Sequence, residues 1–192
     1  MNRATRRCRL AIAGALALCA AGCASPEPML YTLAPRPGTP DARRLPSVAL
    51  QTVGVAKYLD RPQIVRHRTD YELVLSQGER WGEAMDEMVP RVLVDDLAQR
   101  LPATRIDTAA SGMVPDAGRV LTLDIDRFDA DPDGTIVLEA RWTLRSGARE
   151  GAMRTTRIAV PAGSAKTADL VAAMSACLGQ LSDQLAQVLA GD

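Results

Sequence analysis

The chain has 192 residues, enough for one compact domain with an additional segment and short for two. Basic and acidic residues balance at 23 each, and one Phe, two Trp and three Tyr are its only aromatics, so neither a basic face nor a base-stacking platform argues for nucleic-acid binding. A single histidine excludes most His-rich metal sites and leaves any His-dependent triad one candidate, His67.

The first 22 residues read as an export signal. Arg3, Arg6, Arg7 and Arg9 precede the apolar, small-residue run from Leu10 to Gly22, which is too short to cross a bilayer. The run ends in "AAGC", Ala20 to Cys23, which resembles a bacterial lipoprotein box with Cys23 as the lipid-bearing first residue of the mature chain. Ordinary cleavage after a small-x-small site at Cys19 to Ala21 is the alternative, and would leave Cys23 a plain thiol. Removing the four leader arginines from 23 basic residues leaves 19 against 23 acidic, a net charge of −4. Ala24 and Ser25 follow Cys23 with no Asp of the kind that resembles an inner-membrane retention signal, so the outer membrane is the expected destination.

Residues 23–46 contain Pro26, Pro28, Pro35, Pro37, Pro40 and Pro46, and read as an extended tether with a short strand near 29–33. The folded domain is expected over 47–192. "SVALQTVGV" reads as a strand and is followed by the corner "YLDRPQIV", Tyr58 to Val65, where a pre-proline residue is held extended. Ile64–Arg68 and Tyr71–Ser76 suit a hairpin. Met85, Met88, Val89, Val92, Leu93 and Leu97 then recur at helical spacing, with Asp86 as the expected N-cap and Pro90 in the first turn. A second β region follows. Leu121, Leu123 and Ile125 share one face, and Ile136, Leu138, Ala140, Trp142 and Leu144 share another, joined by the turn "DPDG" and continued by "AMRTTRIAV". Val171, Met174, Leu178, Leu181, Leu185 and Val188 mark a terminal amphipathic helix that Thr167 can cap. Its three heptads suit either the chain's own sheet or a coiled-coil seam with a second subunit. The expected fold is a single α+β domain: a mostly antiparallel sheet, with a mixed sheet as the alternative, covered on one face by two long amphipathic helices.

Few residues point to chemistry. Asp129, Asp131 and Asp133 match the D-x-D-x-D-G opening of a calcium loop, but the closing carboxylate position is Ala140, so a hairpin tip is the competing reading. Cys177 falls among apolar helix residues and reads as core. No cofactor and no catalytic residue is expected. Tyr58, Asp60 and Arg61 at the corner, with Trp81, form the candidate partner-binding group, because Arg and aromatics are enriched at interface hot spots.

Taken in order, these pieces resemble the PqiC-like auxiliary lipoproteins of ABC-type transport systems. The resemblance rests on the lipoprotein box at Cys23, "YTL" at Tyr31 to Leu33, "YLDRPQIV", the "YELVLSQGERWGEAMDEMVPRVLVDDLAQRL" segment, "LDIDRFD" and "LEARWTL". It implies an outer-membrane-anchored periplasmic lipoprotein working with an MCE-domain protein, an inner-membrane permease and an ATPase in phospholipid traffic between two membranes. It also implies a ring of identical copies. A lipid-carrying or outer-membrane-assembly binding lipoprotein is the alternative function.

Overall fold

A computed structural model describes residues 27–108 and 118–191. The leader and Cys23 lie outside the described residues. The elements in chain order are β1 (Met29–Tyr31), β2 (Val48–Val55), β3 (Gln63–Thr69), β4 (Glu72–Trp81), α1 (Met85–Arg100), β5 (Ile106–Thr108), β6 (Arg119–Ala130), β7 (Thr135–Ser146), β8 (Arg149–Glu150), β9 (Arg154–Pro161) and α2 (Thr167–Gly191).

The spine of the sheet is β6. Along one side it pairs antiparallel with β7 from Arg119↔Ser146 to Ala130↔Ile136, and β7 in turn pairs with β9. Two strands share its other side in succession. First β2 runs parallel to it as far as Val55↔Ile125, and then β3 meets it, also parallel, at Arg66↔Ala130. The chain therefore follows one edge of β6 in two instalments, and Lys57–Pro62 loops out between them. A β-bulge in β6 between Ile125 and Arg127 falls at the same level. It resets the alternation, so that Leu121, Leu123 and Ile125 before it and Phe128 and Ala130 after it all reach the core.

The sheet is mixed, which corrects the mostly antiparallel expectation. Four pairings are parallel (β1–β4, β2–β5, β2–β6, β3–β6) and four antiparallel (β3–β4, β6–β7, β7–β8, β7–β9). Alternation in sequence reports which face a side chain takes, whereas strand direction depends on the crossovers between strands. The β6–β7–β9 meander is the part whose turn is legible in sequence. Gly134 closes it at φ +85°, a left-handed conformation that favours glycine.

The apolar face is covered by both helices: α1 lies over β2 and β5, α2 over β9, β7 and β6, and the two helices pack on each other. Helix α1 begins one residue before the expected cap. Ala84 holds the N-cap position without a side-chain bond, while Asp86 and Glu87 sit in the first turn, where carboxylates favour the helix dipole. Pro90 falls inside the helix rather than in its first turn. Helix α2 buries Leu170, Met174, Leu178, Leu181 and Leu185 in the same core, so the apolar stripe meets its own sheet. Thr167 does not cap it through its side chain. Its hydroxyl donates instead to Glu79 Oε2 at 2.6 Å and accepts from Arg66, joining the helix start to β4 and β3.

A second correction concerns the proline-rich stretch. From Met29 onward it is part of the body: β1 pairs with β4, and Leu33 is 1 % exposed in the core. The docking device is Arg100, itself 2 % exposed. Its Nε donates to Asp183 Oδ1 on α2 at 2.6 Å, and one terminal nitrogen donates to the carbonyls of Arg36 and Asp96, each at 3.0 Å. The other donates to the carbonyl of Gly179 at 2.9 Å. Asp96, fully buried on α1, accepts the backbone N–H of Arg36 at 2.6 Å and stands 3.8 Å from the Arg100 guanidinium. Burial pushes the Asp96 carboxyl above the usual carboxylate range, against the lowering effect of the Arg36 N–H and the Arg100 charge. Removing one member of such a pair leaves the other charge buried and uncompensated. Arg100→Ala is therefore expected to destabilise the domain by about 3–5 kcal/mol. Asp183→Asn, at a half-exposed position, should cost about 1 kcal/mol or less. Urea-unfolding midpoints of the two variants against the parent check this ranking, and equal midpoints would contradict it.

Candidate functional site

The corner after β2 is built from backbone turns and two anchoring side chains. Leu59 N–H donates to the carbonyl of Ala56 at 2.9 Å, Asp60 N–H to Lys57 at 3.2 Å and Arg61 N–H to Leu59 at 2.8 Å. Leu59 plugs into the core at 3 % exposure. Tyr58 lies half-buried over the stretch of β6 between its contacts with β2 and β3. Its hydroxyl donates to Asp129 Oδ2 at 2.5 Å and accepts the Phe128 N–H at 3.3 Å. A side chain thus supplies the hydrogen bond that a neighbouring strand would otherwise give at this level.

Asp129 is fully buried and is the centre of a polar cluster. Arg127 Nε donates to its Oδ1 at 3.0 Å, and the same guanidinium pairs with Asp131. His67 Nε2 is 3.3 Å from Asp129 Oδ2. The other ring nitrogen of His67, Nδ1, lies 3.2 Å from the carbonyl oxygen of Thr69, where a triad would need a nucleophile. Burial, followed by the hydrogen bond to Asp129, pushes the Tyr58 phenol far above its usual range.

The structure separates the residues expected at one partner surface. Asp60 and Arg61 are exposed, whereas Tyr58 is committed to Asp129 and Trp81 is 7 % exposed among core residues. Trp81 touches the corner through its backbone, its N–H donating to the Pro62 carbonyl at 2.7 Å. The three candidate calcium ligands diverge. Asp129 meets Tyr58, His67 and Arg127, Asp131 pairs with Arg127, and Asp133 accepts the N–H and hydroxyl of Thr135 at 2.9 and 3.2 Å. Among the described residues no three His, Cys, Asp or Glu side chains are placed to share a metal ion. Cys177 is fully buried, and burial pushes its thiol up to about 12.

Two features were missed by sequence reasoning, the Arg100 node and the Asp129 cluster. The second had a signal: Arg127, Asp129 and Asp131 alternate with Phe128 and Ala130, which marks a strand face rather than a metal loop. The first showed only its i,i+4 pair with Asp96 at short range, because its other partners are 64, 79 and 83 residues away.

The polar groups of this region hold strands and a corner together, and what they leave at the surface is a charged projection rather than a reacting centre. The chain is a member of the family of ABC-type transport auxiliary lipoprotein components, whose sequence model matches residues 31–186. No curated protein matches the chain in sequence. The fold recurs in protein XCC0632 from Xanthomonas campestris, with 22 % identity, a TM-score of 0.69 and coverage of 82 % of this chain and 92 % of that one. It recurs also in the crystal structure of an uncharacterized protein at 18 % identity and TM-score 0.72, covering 85 % and 99 % of the two chains.

The Tyr58–Asp129 bond yields a pH-dependent prediction. In the unfolded chain the phenol ionises near pH ~10, whereas the folded state keeps it protonated. Stability from this group is therefore complete below that pH and falls as the pH rises above it. Tyr58→Phe is expected to cost roughly 1–3 kcal/mol at neutral pH, because a buried carboxylate oxygen loses a donor. The gap between variant and parent should narrow at alkaline pH. Urea titrations of both proteins at neutral and alkaline pH measure it; no gap at neutral pH would show that the bond does not matter, and a gap that stays constant would contradict its coupling to the phenol's ionisation.

Proposed function

We propose that this chain is the outer-membrane lipoprotein of an MCE-type ABC lipid-transport system, anchored through Cys23 and facing the periplasm. In this role it docks the periplasmic end of an MCE-domain assembly, which an inner-membrane permease and ATPase serve. The observation that carries the reading is the family match over 31–186 directly downstream of a lipoprotein-type cysteine. Docking, rather than carriage of lipid, is supported by the cavities. An open groove of about 990 Å³ beside α2 is lined by Asp41, Arg43, Asp183 and Gln187 together with Pro37, Pro40, Ala186 and Ala190, a mixed, open surface rather than the enclosed apolar cavity an acyl chain favours. Asp60 and Arg61 are the residues of the corner exposed for a partner. The ring of identical copies that the family resemblance implies belongs to the same proposal.

Cys23→Ala is expected to move the protein from the outer-membrane fraction into soluble periplasm. Continued sedimentation with outer membranes would count against the lipid anchor. From cross-linked cells, the parent should co-purify an MCE-domain protein and Arg61→Glu should recover less of it. Repeated recovery of no such protein by the parent would sink the partner assignment. Native mass spectrometry of the gently purified domain should show no stoichiometric phospholipid; its presence would favour a carrier.

A further inference from the structure

The distance from Cys23 to the folded body decides which end of the domain meets the bilayer. Six residues, Cys23 to Pro28, precede β1. Whatever their conformation they span at most about 20 Å. The start of β1 is therefore held within that distance of any lipid on Cys23, while α2, with 25 residues, is about 37 Å long. Thr167, at the start of α2, contacts Glu79, the register partner of Met29. Arg43, by contrast, binds the carbonyl of Ala190 at the far end of α2. The two ends of the domain are thus unequally placed with respect to the anchor.

The near end also carries an unusual surface. Met29 and Leu30 are 61 % and 63 % exposed, consecutive on an edge strand. Arg80, the register partner of Leu30, is exposed and has no ion-pair partner among the described residues. Exposed Lys166 lies across a shallow cleft of about 440 Å³ from Met29. The acidic residue of that cleft, Glu79, is engaged by Arg66, Tyr31 and Thr167. Apolar side chains flanked by unpaired basic ones match the boundary between acyl chains and phosphates.

We propose that this end of the domain, presenting Met29, Leu30, Arg80 and Lys166, rests on the phospholipid surface that holds the Cys23 anchor. Met29 and Leu30 enter the headgroup–acyl boundary, and Arg80 and Lys166 face phosphates. The C-terminal end of α2 points away from the bilayer. Arg61 lies next to Pro62, whose carbonyl binds Trp81, so the exposed corner flanks the same end. A partner on that corner would deliver or collect lipid beside the membrane. The inference rests on Cys23 being the lipidated residue, and the test separates the two.

The full lipidated protein is reconstituted in vesicles of phosphatidylethanolamine and phosphatidylglycerol doped with doxyl-labelled phospholipid. An environment-sensitive fluorophore is attached through Leu30→Cys or, in a second sample, Gln187→Cys. Buried Cys177 does not compete for the label. The expected result is loss of fluorescence at position 30, none at 187, and recovery at 30 when Arg80→Glu and Lys166→Glu are added. Equal quenching at both positions, no quenching at 30, or no effect of the charge reversals in vesicle-floating protein would overturn the inference alone. Failure of the protein to float would overturn the Cys23 anchor and the inference with it.

Discussion

The buried guanidinium of Arg100 is the constraint on which the arrangement of this domain depends. A cation removed from water is tolerable only if its hydrogen bonds are made together. Here they go to three separate segments: the carbonyl of Arg36 on the connection from β1 to β2, the carbonyl of Asp96 on α1, and Gly179 and Asp183 on α2. None of the three can leave without exposing the others to that cost. The small residues around the node follow from it. A Cβ at Gly38 would stand 2.4 Å from Arg100 Cζ, and one at Gly179 would stand 2.9 Å from Arg36 Cβ. The same logic closes the far end of α2, whose last turn has no basic residue of its own. Arg119 and Arg43 reach in from elsewhere to bind the carbonyls of Leu189 and Ala190.

The sheet has its own point of dependence, the level of β6 where β2 ends and β3 has not yet begun. A central strand left without a neighbour would expose backbone polar groups. The bulge after Ile125, the Tyr58 hydroxyl on the Phe128 N–H and the buried carboxylate of Asp129 together fill that level. The corner projects because the strand partners change there. Its tip, Asp60 and Arg61, projects at the surface above the anchored side chains of Tyr58 and Leu59.

These two supports bear on function through placement. Arg100 brings the proline-rich stretch onto the body, which shortens the link between Cys23, the proposed anchor, and the folded domain from a tether to a few residues. With the proposed anchor at Cys23, a domain held so close has a defined membrane side, which the corner braced by Tyr58 flanks. The proposed docking between a bilayer and a transporter would gain from such a fixed geometry, since a partner then needs only one approach direction.

Much of this was legible in sequence. The amphipathic stripes of α1 and α2, the inward faces of β6 and β7 and the Gly134 turn all follow from periodicity and turn chemistry, which are local. The family, too, could be read from ordered short motifs. What sequence could not supply was strand direction, the burial of Trp81 or the docking of residues 29–46. Prolines alone suggest an extended chain, and a tryptophan beside a charged corner suggests an interface. Tertiary structure decided otherwise: β1 found an edge on β4, Leu33 found the core, and Arg36 found a buried Asp96–Arg100 pair. The physical reason is range. Periodicity is set by neighbours three or four residues apart, whereas a buried charge is satisfied by whichever groups the whole fold brings within about 3 Å.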